Sequence, residues 1–148
     1  MSTDDLYQEV ILDHYKAPRN FGPLPGATAQ AEGHNPLCGD RVTVYLQIEG
    51  DIVRAVRFEG SGCAISTASA SVMTDALTGR SRAEVEALFG AFHALVRGEP
   101  APAGSPPLGK LAVFSGVSDY PTRVKCAVLV WHTLNAALAG KGDSVTTE

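Results

Sequence analysis

The chain has 148 residues, 45% of them hydrophobic, which suits one folded unit with its own core and excludes a disordered polymer. Twelve Lys and Arg against sixteen Asp and Glu give a formal net charge of −4, so no general attraction for nucleic acid is expected. Apolar runs fall far short of the ~20 residues that span a bilayer, and a membrane is not an expected partner either.

Residues 2–16 are expected to form an amphipathic helix. Ser2 can cap it, with Asp5 three residues on. Leu6, Tyr7, Val10, Ile11, His14 and Tyr15 recur at helical spacing. Asp4 and Asp5 stand where a secretory leader would carry basic residues, so a cytoplasmic chain is expected. Pro18 ends the helix, and Pro23, Pro25 and Gly26 mark a loop. Residues 27–32 alternate weakly and suggest an edge strand. Val42, Val44, Leu46 and Ile48 alternate with polar residues, giving a strand over 42–48. A short turn at 49–51 leads to a second strand over 52–58, hence a hairpin.

The pattern then changes to helix. Residues 64–78 are rich in Ala, Ser and Thr and stop at Gly79. Ser81 and Glu84 make a capping box. Val85, Leu88, Phe89, Phe92, Leu95 and Val96 give one apolar stripe ending at Gly98. Four prolines make 99–107 a loop. Residues 108–120 read as irregular or as a short helix. Pro121 opens a last helix over about 122–139, with Val124, Val128, Trp131, Leu134 and Leu138 as its stripe. The final residues are polar and expected to fray. Strands followed by helices predict an α+β fold, taken as a single domain over 1–148 with its core in about 5–139.

Three cysteines occur, Cys38, Cys63 and Cys126. An odd number argues against a closed disulfide framework. Cys38 lies in a Pro- and Gly-bounded loop before the first clear strand, with Asp40 two residues on. Cys63 lies where strand gives way to helix, where unpaired N–H groups and the helix dipole favour a thiolate. Cys126 is placed in the first turn of the last helix, with Arg123 and Lys125 as nearby cations. Three thiolates and Asp40 would make a tetrahedral four-ligand set for zinc, and soft sulfur also suits iron–sulfur ligation. By spacing alone, three separate cysteines remain an equal alternative, because no CxxC pair brings ligands together. His34 is a candidate ligand or hydrogen-bond partner. A Cys–His nucleophilic pair would use Cys38 with one of the histidines. His93 reads as structural, and His14 and His132 lie on or beside helical stripes. No nucleophile elbow, phosphate-binding Gly loop or HExxH supports a hydrolase.

The segments Asn35-Pro36-Leu37-Cys38-Gly39-Asp40, Gly60-Ser61-Gly62-Cys63-Ala64-Ile65-Ser66 and Arg123-Val124-Lys125-Cys126-Ala127 resemble the three cysteine motifs of U-type iron–sulfur cluster assembly proteins. The stretch His14-Tyr15-Lys16-Ala17-Pro18-Arg19-Asn20-Phe21-Gly22 resembles the same family's N-terminus. Within that family the chain is most similar to the SufU branch. Lys125 stands where the IscU branch carries His before its third Cys, and the stretch between Cys63 and Cys126 is longer than in IscU. The resemblance implies a three-stranded antiparallel sheet packed with helices. It implies zinc bound by Cys38, Asp40, Cys63 and Cys126, and sulfur transfer from a PLP-dependent cysteine desulfurase onto Cys38. The alternative it carries is a scaffold that assembles a [2Fe–2S] cluster, or holds iron, on the same ligands and passes it to downstream cluster-assembly proteins.

Overall fold

The computed structural model describes residues 3–36, 39–140 and 145–146, without the side chains of 3–7 and 145–146. Ser2, the expected first cap, lies outside them. Helix α1 (Thr3–Lys16) leads through a loop to strands β1 (Ala29–Asn35), β2 (Asp40–Glu49) and β3 (Ile52–Ser61). Helices α2 (Ala64–Leu77) and α3 (Arg82–Val96), a 3-10 segment (Gly109–Val117), α4 (Pro121–Leu138) and the two-residue strand β4 (Val145–Thr146) follow.

The three antiparallel strands are the sheet the sequence predicts. β2 is central, and both neighbours pair with it antiparallel. Gly50-Asp51 makes the β2–β3 turn, and Gly50 takes a positive φ of 60°, the conformation a tight hairpin needs. The expected frayed end is different in one respect. Val145 and Thr146 pair parallel with Gly33 and His34, so the sheet order is β3-β2-β1-β4. A parallel bridge to a sequence-distant strand leaves no local pattern to read.

One face of the sheet is buried. Ala31, Val42, Val44, Leu46, Val53, Val56 and Phe58 point into the core, against Trp131, Leu129 and Leu134 of α4 and Met73 of α2. α4 is buried on nearly all sides, so its predicted stripe understates its role. α2 is buried through small residues, including Ser66, Ser69, Ser71 and Thr74. Such residues allow close helix approach, and the Ser69 hydroxyl donates to the Ala127 carbonyl of α4 at 2.6 Å. β1 also approaches α4 closely, since a Cβ on Gly33 would sit 2.1 Å from Thr133 Oγ1. The Ser81–Glu84 capping box forms as the sequence predicts. The ambiguous 108–120 stretch is a 3-10 helix that buries Leu111, Val113, Phe114 and Val117. Tyr15, assigned to the α1 stripe, is 46% exposed, while Val10, Ile11 and His14 are buried.

Candidate metal centre

Asp40 opens β2 and pairs in register with Asn35. The strand starts two residues before the alternating apolar run suggests. Asp40 therefore belongs to the sheet, on the same face as Val42 and Val44, and it is fully buried. A carboxylate with no access to water must be hydrogen-bonded. Its Oδ1 accepts the Cys63 backbone N–H at 2.8 Å, and its Oδ2 lies 3.7 Å from Cys63 Sγ.

Cys63 is the N-cap of α2, at the strand-to-helix junction the sequence predicts. Its sulfur takes the position of the usual capping oxygen and accepts the Ser66 N–H at 3.4 Å. Cys63 is exposed and Cys126 is buried. A hydrogen bond from the Cys126 thiol brings the Cys63 pKa down to about 7, and the Ser66 and Ile65 amides act in the same direction. Burial and the Asp40 charge oppose them.

Cys126 is the sixth residue of α4, not in the first turn as the sequence suggests. The helix begins at Pro121, a residue earlier than expected, so Cys126 gets little from the helix end. Arg123 stacks over the Tyr120 ring, 4.5 Å from its centroid.

Asp40, Cys63 and Cys126 come together from β2, the head of α2 and α4. One donor atom from each lies within 4.8 Å of the others. Two sulfurs and one carboxylate oxygen converging at a half-open spot suit a borderline divalent metal such as zinc. Cys38, the fourth expected ligand and the expected sulfur acceptor, lies outside the described residues.

The histidines divide differently. His34 is on the outer sheet face, opposite Arg41 in register, and is not one of the three converging donors. With Glu32, Arg41, Thr43 and Glu59 it lines a cleft of about 490 Å³ whose lining includes none of those donors. His93 and His132 pair their rings beside Phe89. His14 is fully buried, with Nδ1 2.6 Å from Ser71 Oγ and Nε2 2.9 Å from Lys110 Nζ. Arg19 N–H also reaches Ser71 Oγ, and Asn20 donates to Thr74 and Asp75. The His14–Gly22 stretch thus fastens α1 to α2 rather than lining the centre.

Among the described residues no helix is long and apolar enough to cross a membrane. Residues 6–127 match the family model of the NifU-like N terminal domain. The chain is 41% identical over 136 residues to the zinc-dependent sulfurtransferase SufU of Bacillus subtilis (strain 168), covering 92% of this chain and 91% of the relative. It is 40% identical over 133 residues to the iron–sulfur cluster assembly scaffold protein IscU of Thermotoga maritima, covering 90% and 92%. The solved structure of a nitrogen-fixing NifU-like protein (N-terminal) from Brucella abortus superposes with a TM-score of 0.81 at 30% identity, covering 95% of this chain and 97% of that one. The chain belongs to the NifU-like N-terminal domain family, among the iron–sulfur cluster assembly proteins.

Proposed function

We propose that the chain accepts sulfur for iron–sulfur cluster assembly, with zinc held by Cys38, Asp40, Cys63 and Cys126 and sulfur received on Cys38. The observation that carries this reading is the convergence of Asp40, Cys63 and Cys126 within 4.8 Å. The likeness to a relative named as a zinc-dependent sulfurtransferase supports it. The continuous core supports treating 1–148 as one assembly domain. Cys63 and Cys126 are reduced thiols and not half-cystines, which fits the reducing cytoplasm.

The donor is a PLP-dependent cysteine desulfurase carrying a persulfide. The Cys38 thiolate attacks the terminal sulfur of that persulfide. A new S–S bond forms on Cys38, the old one breaks, and the desulfurase cysteine leaves as a thiolate. No net oxidant is consumed. Bound zinc supplies positive charge that keeps the ligating thiols deprotonated. Asp40 is held in place by the Cys63 N–H, and the head of α2 favours a thiolate at Cys63.

A second reading, a scaffold for a [2Fe–2S] cluster on the same residues, is favoured by the sulfur-rich donor set and by relatives named as scaffolds. Lys125 in place of a soft ligand beside Cys126 weighs against it. Metal and sulfide analysis of protein purified without oxygen separates the two. One zinc per chain and no visible absorption supports the sulfur acceptor. A brown protein with labile sulfide supports the scaffold.

A further inference from the structure

Gly62 lies between the end of β3 and the Cys63 cap. Its φ lies outside the left-handed region that favours glycine. Backbone conformation therefore gives no reason for glycine here. Space does. A Cβ at Gly62 would lie 2.5 Å from Asp40 Oδ1, 3.0 Å from its Cγ and 3.3 Å from its Cβ. All three nearest atoms belong to one side chain. Gly60 is different, since it has a φ of +149° and its Cβ would strike the Arg41 carbonyl at 2.1 Å. Gly60 serves the backbone pairing, and Gly62 serves Asp40.

Asp40 cannot easily move aside. It is fully buried, and Oδ1 is engaged by the Cys63 N–H. That leaves Oδ2 on the side of the Cys63 sulfur. We propose that Gly62 is a positioning residue of the metal centre: its missing Cβ lets Asp40 seat Oδ1 on the Cys63 amide and offer Oδ2 alone as a donor. A one-oxygen carboxylate keeps the set at four ligands, the number that suits tetrahedral zinc. The proposal rests on the metal reading above, and one of its two readouts needs no metal.

The experiment compares wild type, Gly62→Ala, Asp40→Ala and the double variant. Zinc affinity is measured by competition with a chromophoric chelator. Exchange of the Cys63 amide is measured in the metal-free proteins. Gly62→Ala should weaken zinc binding by ~10–100-fold, as loss of an outer-shell support does, and should speed Cys63 amide exchange. Adding Gly62→Ala to Asp40→Ala should change both readouts far less than Gly62→Ala does alone, because the two closest atoms, Oδ1 and Cγ, are gone and only the Cβ at 3.3 Å remains. Wild-type zinc affinity in Gly62→Ala overturns the proposal. So does an undiminished extra loss in the double variant. If wild type takes up no zinc, the metal reading fails, and the amide still decides: exchange in Gly62→Ala as slow as in wild type overturns the positioning role. If Gly62→Ala does not fold, a double variant that folds like Asp40→Ala supports the proposal. A double variant that also fails assigns Gly62 to the backbone and overturns it.

Discussion

Asp40 gives one carboxylate oxygen to the Cys63 backbone, at 2.8 Å, and keeps the other 3.7 Å from the Cys63 sulfur. The same side chain thus closes the strand-to-helix junction and supplies a candidate ligand. These two tasks separate by substitution. Asp40→Ala removes the acceptor and strands the Cys63 N–H, at a cost of about 1–3 kcal/mol to the metal-free protein. Asp40→Asn keeps an acceptor oxygen for the Cys63 N–H but loses the charge and puts an NH2 donor in place of the second oxygen. Both variants should bind zinc at least ~10-fold more weakly, and only Asp40→Ala should melt clearly lower without metal. Calorimetry with chelator and zinc competition on the same samples check this. Unchanged zinc affinity in both would remove Asp40 from the ligand set.

The two described cysteines should respond differently to serine. Cys63 is an exposed N-cap, and serine is a preferred capping residue. Cys63→Ser should therefore lose metal while its metal-free stability holds or rises. Cys126 is buried at 4% exposure on α4, so Cys126→Ser places a hydroxyl in the interior. Its metal-free protein should lose about 1–3 kcal/mol in addition to losing metal. Denaturant melts with chelator present report the difference. Equal metal-free stabilities would contradict the burial argument.

His14 makes stability depend on pH at a site away from the metal centre. Lys110 donates to Nε2, so the ring proton sits on Nδ1 and faces Ser71. Burial first, then the Lys110 and Arg19 charges, hold the His14 pKa below its ordinary 6.5, while Asp13 and Asp75 pull the other way. The unfolded chain takes up this proton near 6.5 and the folded chain resists it. The stabilising contribution is therefore complete above pH 6.5 and is lost as pH falls below it toward the folded pKa. Metal-free wild type should lose melting temperature between pH 7 and 5 more steeply than His14→Gln. Lys110→Met should raise the His14 pKa, read from the ring proton by NMR. Parallel pH profiles would show that His14 does not titrate against folding.

Much of the fold was legible because it is local. The alternation at Val42–Ile48, the Ser81–Glu84 box and Pro121 at the head of α4 each predict an element from neighbouring residues. The site was less so. Asp40 reads as a loop residue because the apolar alternation begins at Val42, and only pairing with Asn35 places it in the sheet. Cys63 and Cys126 are 63 positions apart, and nothing in that spacing brings them together. Packing of α2 against α4, fixed in part by Ser69 and Ala127, does so. Gly62 left no signal of its own, since an absent Cβ matters only once Asp40 has folded across it. The His14–Gly22 stretch was visible as a family resemblance, but its work as a polar fastening of α1 to α2 depends on Ser71, Thr74 and Lys110, which are distant in sequence.

The central claim is that Cys38 receives the sulfur at a zinc centre it shares with Asp40, Cys63 and Cys126. The most direct measurement incubates zinc-loaded protein with a cysteine desulfurase and cysteine. Persulfides are then trapped by alkylation and mapped by mass spectrometry, in wild type and in Cys38→Ser. The account predicts persulfide on Cys38 in wild type, and none on any cysteine in Cys38→Ser with part of its zinc retained. Persulfide on Cys63 or Cys126 with Cys38 unmodified would contradict it.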